Sequence, residues 1–189
     1  MLDKLAFIQI AKHYCKHRTG GDAYAFGDQV PTFGIQWAED ALRAVKAGLP
    51  ATRLPDEGDT ISATECSKMM DFNSYTDIDY NGKAKLCLDL GKPLPESFYG
   101  KADLLYDGGT IEHIPNIYQA ICNAAMLVKK GGVLIVAVPA HDFGHTYYNL
   151  DPLLFRDFYG LNGFDMIECL FWHQKPKLNR VLKTCLYPI

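Results

Sequence analysis

The sequence is poor in the features that announce a function on their own. It has no CxxC pair, no GxSxG elbow, no GxxxxGK[ST] phosphate loop and no internal repeat. These absences argue against a zinc ribbon, a serine hydrolase of the elbow type, a P-loop nucleotidase and a solenoid. No apolar run approaches the roughly 18 residues that a membrane helix needs. The apolar start of MLDKLAFIQIAKHYCKHR is broken by Lys12 and His13, with no small-residue cleavage site after it, so it does not read as a secretory signal. Excess positive charge is also missing. The net charge of −3 and the pI near 6.0 make nucleic acid an unlikely partner through any generic basic surface.

The chain has 189 residues, 48% of them hydrophobic, enough for one domain with a core of its own. Its six cysteines are scattered, and several sit inside apolar runs (KLCLDL, AICNAA, IECLFW). They read as small buried hydrophobes, reduced as in a cytoplasmic protein.

Periodicity organises the chain. Leu2 to about Lys16, Ile35–Ala47, Ala63–Met70, Asn116–Val128 and Asp151–Tyr159 carry helical spacing. The last has Asp151 at the cap and Pro152 at the first helical position. Strands are expected at Ala23–Phe26, Tyr75–Asp79, Ala84–Leu88, Ala102–Tyr106, Val133–Val138, Phe164–Trp172 and Val181–Leu186. Lys129-Lys130-Gly131-Gly132 reads as the stop of the fourth helix, and Pro139 as the end of the strand after it. VLIVAV, residues 133–138, is apolar without interruption, the mark of a strand buried on both faces. The alternation implies an α/β fold with a mostly parallel sheet. In such sheets ligands bind beyond the carboxyl ends of the strands. Three consecutive strands end in an acid, Asp79, Asp89 and Asp107, which points to a polar ligand crevice.

Residues 102–139, ADLLYDGGTIEHIPNIYQAICNAAMLVKKGGVLIVAVP, resemble the second half of a class I S-adenosylmethionine-dependent methyltransferase. There a strand ending in an acid is followed by T-x-E-H-[IV], a helix, K-x-G-G and a strand ending in Pro. LDLGKPLPESFYGKADLL, residues 88–105, is similar to the preceding part, and GHTYYNLDPLLFRDFYGLNGFD to a subgroup of small bacterial members. The likeness covers about residues 75–172. It implies a Rossmann-like class I methyltransferase fold, with a mostly parallel central sheet and helices on both faces, over residues 1–189 as one domain. Residues 1–21 would be an N-terminal helix that caps the site.

The resemblance also implies roles. S-adenosyl-L-methionine would be the cofactor. Asp79, or less favourably Asp77, would take the ribose hydroxyls, since a carboxylate accepts two bonds at once. Asp89 and the Leu90 backbone would face the adenine. Asp107, Gly108 and Gly109 would floor the methionine end. The family's glycine-rich turn is reduced here to Gly27, followed by Asp28 and Gln29, one of which would hold the amino group. PAHDFGHTYYNLDP, residues 139–152, lies over the crevice. His145 is expected as base or substrate contact, with His141 and His113 as further candidates. The same His141, Asp142 and His145 could alternatively be read as a metal grouping. The acceptor would be a small molecule or a glycan, methylated at an oxygen in one reading. Leu153, Leu154, Phe155, Phe158 and Tyr159 could form a homodimer face or pack in the core. The alternative to an enzyme is a catalytically inactive methyltransferase-like binding or structural module, which the altered first turn would favour.

Overall fold

The computed structural model describes residues 1–52, 54–56, 58–141, 144–173 and 180–188. Seven strands form one sheet: β1 (Asp22–Phe26), β2 (Ser74–Asp79), β3 (Leu86–Cys87), β4 (Ala102–Asp107), β5 (Val128–His141), β6 (Phe164–His173) and β7 (Arg180–Pro188). Their order is β3-β2-β1-β4-β5-β7-β6. The first five run parallel, while β7 is antiparallel to both β5 and β6.

β5 divides the core. Val133, Ile135 and Ala137 point to one face, where they meet α1 (Lys4–Ile10), α2 (Ile35–Lys46) and α3 (Ala63–Met69). Leu134, Val136 and Val138 point to the other, against α4 (Ile117–Leu127) and α5 (Pro152–Leu161). A strand with period-two side chains and helices on both faces must be apolar at every position. That is why VLIVAV is unbroken.

Helix starts follow local chemistry. Asp3 Oδ1 accepts from the Ala6 N–H at 2.8 Å and caps α1. Ser62 and Glu65 form a reciprocal capping box on α3. Asp151 accepts from the Leu153 N–H ahead of Pro152, as expected. α1 continues into a π-turn at Ala11–Cys15, which carries the chain on to Lys16.

Three expectations change. The Lys129–Gly132 stretch does not close α4; the helix ends at Leu127 and β5 begins at Val128, with a register shift opposite Ala102–Leu104. Pro139 does not end β5, which reaches His141. β4 stops at Asp107, opposite Val136, so the flank of β5 on that side is free beyond it, and the Pro139 carbonyl accepts there from the Leu150 N–H at 3.1 Å. A proline's missing donor costs nothing on an unpaired flank. The expected strand at Ala84–Leu88 shrinks to Leu86–Cys87, a short edge with Lys83 and Lys85 beside it.

Phe155 and Tyr159 are fully buried, with rings 6.2 Å apart and stacked. They belong to the core under α5 and do not form a dimer face; Leu153 and Leu154 are exposed. Among the described residues no helix is long and apolar enough to cross a membrane. Because Phe155 is packed on all sides, Phe155→Ala should cost about 3–5 kcal/mol. Urea unfolding followed by circular dichroism measures it; a loss below about 1 kcal/mol would contradict this packing.

Candidate functional site

The sheet reverses winding between β1 and β4, so the loops after these strands diverge and leave a crevice at their carboxyl ends. One carbonyl organises its base. Phe26, the last residue of β1, accepts from Gln29 Nε2 at 2.6 Å and from Thr110 Oγ1 at 2.9 Å. The next residue, Gly27, donates its N–H to the Ile78 carbonyl at 2.8 Å and has φ of +77°. A Cβ here would collide with Thr110 Oγ1. Only glycine suits both the left-handed backbone and the clearance.

The crevice encloses about 470 Å³, within the roughly 300–1,000 Å³ of small-molecule sites. Gly27, Asp28, Gln29, Asp79, Asp89, Leu90, Gly109 and His113 line it. The structure thus brings together most of the cofactor candidates and one histidine. The sequence reading missed Tyr80, Leu88, Thr110, Ile114 and Pro115, which also line it, as does Met1. Thr110 and Ile114 belong to the T-x-E-H-[IV] segment, whose pattern could have found them; Tyr80, Leu88 and Pro115 carry no such signal. Met1 reaches the crevice, while Leu2 and α1 pack in the core against the sheet.

Asp79 closes β2. Its carboxylate accepts from the Asp28 N–H at 3.1 Å, the Asn81 N–H at 3.1 Å and Asn81 Nδ2 at 3.0 Å. Asp77 accepts from the Lys85 N–H at 2.8 Å, which ties down the β3 edge, and it does not line the crevice. Asp89 holds the Gly91 N–H at 2.9 Å and the Lys92 ammonium at 3.3 Å. Gln29 is buried, and its Oε1 has no hydrogen-bond partner. A buried acceptor left unpaired costs about 1–3 kcal/mol, so it is a place for a ligand donor.

Gly108 and Asp107 do not line the crevice. Gly108 lies against Gln29 Oε1 and Tyr106 Oη, and its carbonyl accepts from the Met1 amino group at 2.7 Å. Asp107 is only 1% exposed beneath the floor. Its Oδ1 accepts from the Thr110 N–H at 2.9 Å, while Oδ2 has no partner. Glu112, to which the sequence reading gave no role, is 2% exposed on a 3₁₀ turn (Ile111–His113), and its Oε2 is likewise unpartnered. Burial pushes the Asp107 carboxyl up to about 7. Burial, reinforced by the Asp107 charge, pushes Glu112 up to about 8.

The loop after β5 clamps this turn. The Tyr147 and Tyr148 N–H groups donate to the Glu112 carbonyl at 3.1 and 3.3 Å, and Tyr148 Oη donates to the Pro115 carbonyl at 2.7 Å. This places the His145 ring edge-on to His113, centroids 5.1 Å apart. Partial burial, then the neighbouring His145, lowers the His113 pKa, so its imidazole is neutral near pH 7. His141 is exposed at the end of β5 and does not line the crevice. Asp142, part of the metal grouping considered above, lies outside the described residues. Among those residues no group of three ligating side chains forms a metal site.

Raised carboxyl pKa values make stability depend on pH. Both folded values exceed the unfolded ones, near 4, so the contribution of these groups is complete below pH 4 and is lost as pH rises through 7 to 8. Glu112→Gln should therefore gain on the wild type as pH is raised from 5 to 9, by about 1–3 kcal/mol. Urea midpoints at the two ends of that range check it; a constant difference would mean that Glu112 is not buried as a neutral acid. Gly27→Ala should cost about 1–2 kcal/mol from the left-handed backbone alone, read by the same unfolding curves.

No protein-family model matches the sequence, and neither does any curated protein. Solved structures match in fold. The 1,6-didemethyltoxoflavin-N1-methyltransferase of Burkholderia thailandensis, with 1,6-didemethyltoxoflavin and S-adenosylhomocysteine bound, superposes with a TM-score of 0.55 at 10% identity, over 98% of this chain and 80% of that one. The N-methyltransferase NodS of Bradyrhizobium japonicum, in complex with S-adenosylhomocysteine, gives a TM-score of 0.57 at 12% identity, over 96% and 83%. The branched-chain polyamine synthase of Thermus thermophilus, with N4-aminopropylspermidine and 5′-methylthioadenosine, gives 0.52 at 13% identity, over 97% of this chain but 55% of that one. This chain has the α/β fold on which those methyltransferases are built, with a mostly parallel sheet and helices on both faces.

Proposed function

We propose that the chain is an S-adenosyl-L-methionine-dependent methyltransferase acting on a small-molecule acceptor. The observation that carries this reading is the placement of Asp79, with Asp89, Leu90 and Gly27, around one crevice at the switch point of a methyltransferase-type sheet.

The residues present fit the cofactor. Asp79 is positioned at the end of β2 to accept from a pair of vicinal hydroxyls, and its orientation is set by Asp28 and Asn81. Leu88 and Leu90 offer apolar surface beside Asp89 for a flat heterocycle. The free Oε1 of Gln29 and the carboxylate of Asp28 suit an ammonium group. When bound, the cofactor supplies an electrophilic methyl carbon on a sulfonium, and the chemistry itself needs nothing more from the protein than alignment.

The chain's own residues then handle the acceptor. The His113 imidazole, neutral and at the crevice wall, takes a proton from an acceptor hydroxyl or amine. His145, packed on its ring, orients it. Gly109 floors the crevice at this end, with Asp107 buried beneath it. Among the described residues the crevice carries Asp28, Asp79 and Asp89 and is lined by neither lysine nor arginine, so it favours neutral or cationic acceptors over phosphates and carboxylates. A glycan hydroxyl falls within this class.

Calorimetric titration with S-adenosylmethionine and S-adenosylhomocysteine tests the cofactor site. Micromolar binding is expected, with Asp79→Ala weakening it by about 100-fold or more, as loss of a bidentate charged acceptor requires. No binding at millimolar ligand would overturn the enzyme reading and favour a non-catalytic binding module. Once an acceptor is in hand, His113→Ala should lower kcat by about 10²–10⁴-fold, with cofactor affinity little changed. An unaltered kcat would remove His113 from the reaction.

A further inference from the structure

Asp107 and Glu112 are two buried carboxyl groups, one at the end of β4 and one on the turn after it, near enough that the Asp107 charge acts on Glu112. Each leaves one oxygen without a hydrogen-bond partner. Between them and the crevice stands little but backbone. Gly109, with φ of +89°, lines the crevice on one side, and a Cβ built on it would stand 3.1 Å from Glu112 Oε1. The groups facing the pair are the Tyr106 phenol on β4, the Tyr159 phenol on α5 and the Met1 amino group, with the Asp3 carboxylate acting on the Tyr106 phenol. The Thr110 and Ile111 N–H groups face it from its own turn. Among the described residues neither lysine nor arginine faces it.

Two carboxyls this close in a low-dielectric site do not both ionise. The buried oxygens without donors are what remains when a proton sits on the pair. A positive charge placed above Gly109 reverses that balance, because it favours the ionised form across a few ångströms of poorly screening backbone.

We infer that the Asp107–Glu112 pair is a proton-linked sensor of the charge on the cofactor, holding a proton when the crevice is empty and releasing it to solvent when a sulfonium binds. One carboxylic O–H bond breaks, the proton passes to the buffer and the pair gains one negative charge under the cation. S-adenosylhomocysteine, whose sulfur is neutral, leaves the proton in place. The pair thus distinguishes donor from spent product by charge, and the discrimination strengthens as pH rises. This inference rests on the proposed function, whose cofactor supplies the sulfonium.

The test is calorimetry of wild type, Glu112→Gln and Asp107→Asn with both ligands. Each titration is repeated in buffers of different ionisation enthalpy at pH 7 to count protons. Wild type should release about half a proton or more on binding S-adenosylmethionine than either variant does. The comparison at one pH cancels protons carried by the ligand. The ratio of S-adenosylmethionine to S-adenosylhomocysteine affinity should rise by about tenfold from pH 6 to pH 8 in wild type relative to the variants. Saturable binding of both ligands with equal proton counts in wild type and variants would overturn the sensor and leave the cofactor site standing. No binding of either ligand to wild type would overturn both. If circular dichroism shows neither variant folded, the proton count of wild type with the two ligands decides: a larger release with S-adenosylmethionine is expected, and equal release overturns the inference.

Discussion

The Phe26 carbonyl is the point on which the site depends. It ends β1 at the place where the sheet changes winding, and it is held by Gln29 from its own loop and by Thr110 from the loop after β4. These two bonds tie together segments far apart in sequence and set the width of the crevice between them. They also explain why Gly27 must be glycine, since Thr110 Oγ1 occupies the space a side chain would need. A buried carbonyl at a strand end has to be satisfied, and here satisfying it builds the base of the crevice.

From that anchor the polar groups sort by burial. Asp79 and Asp89 stand at the crevice wall with N–H donors on each, and so remain ready acceptors. Asp107 and Glu112 lie a layer deeper, with the Met1 amino group as the nearby cation, and burial outweighs it in deciding their chemistry. His113 sits between these regimes, neutral because it is partly desolvated and faces another imidazole. Carboxylates of the same type therefore serve different ends within one site, depending on whether water or protein surrounds them. The loop after β5 completes the arrangement by clamping the Ile111–His113 turn through the Glu112 carbonyl, which fixes both the buried acid and the histidine beside it.

Much of the fold was legible in the sequence where the signal is local. The buried run at 133–138, the Asp151-Pro152 helix start and the acids closing β2 and β4 follow from side-chain periodicity and backbone hydrogen bonding within a few residues. Lys129–Gly132 misled for the same reason. Basic residues and glycines mark a helix end locally, yet β5 begins before them because Val128 pairs with Ala102 across the sheet. Most of the candidates gather at one crevice because the carboxyl ends of parallel strands share one edge of the sheet; Asp107, buried beneath the floor, and Gly108 stand outside it. Tyr80 and Pro115 could not be singled out, since nothing in their spacing separates them from ordinary loop residues.

The sequence by itself determined most of the strands and helices, which faces are apolar, and that the acids at the ends of β2 and β4 lie at the carboxyl edge of the sheet. It did so because these depend on steric and hydrogen-bonding preferences within one or two turns of chain. Tertiary structure alone decided that Asp79 faces the crevice while Asp77 secures the β3 edge, that Glu112 is buried beside Asp107, that His145 rather than His141 meets His113, and that Phe155 and Tyr159 are core. Each of these turns on which distant segment packs against the residue, and desolvation and contact across the fold are properties no local pattern encodes.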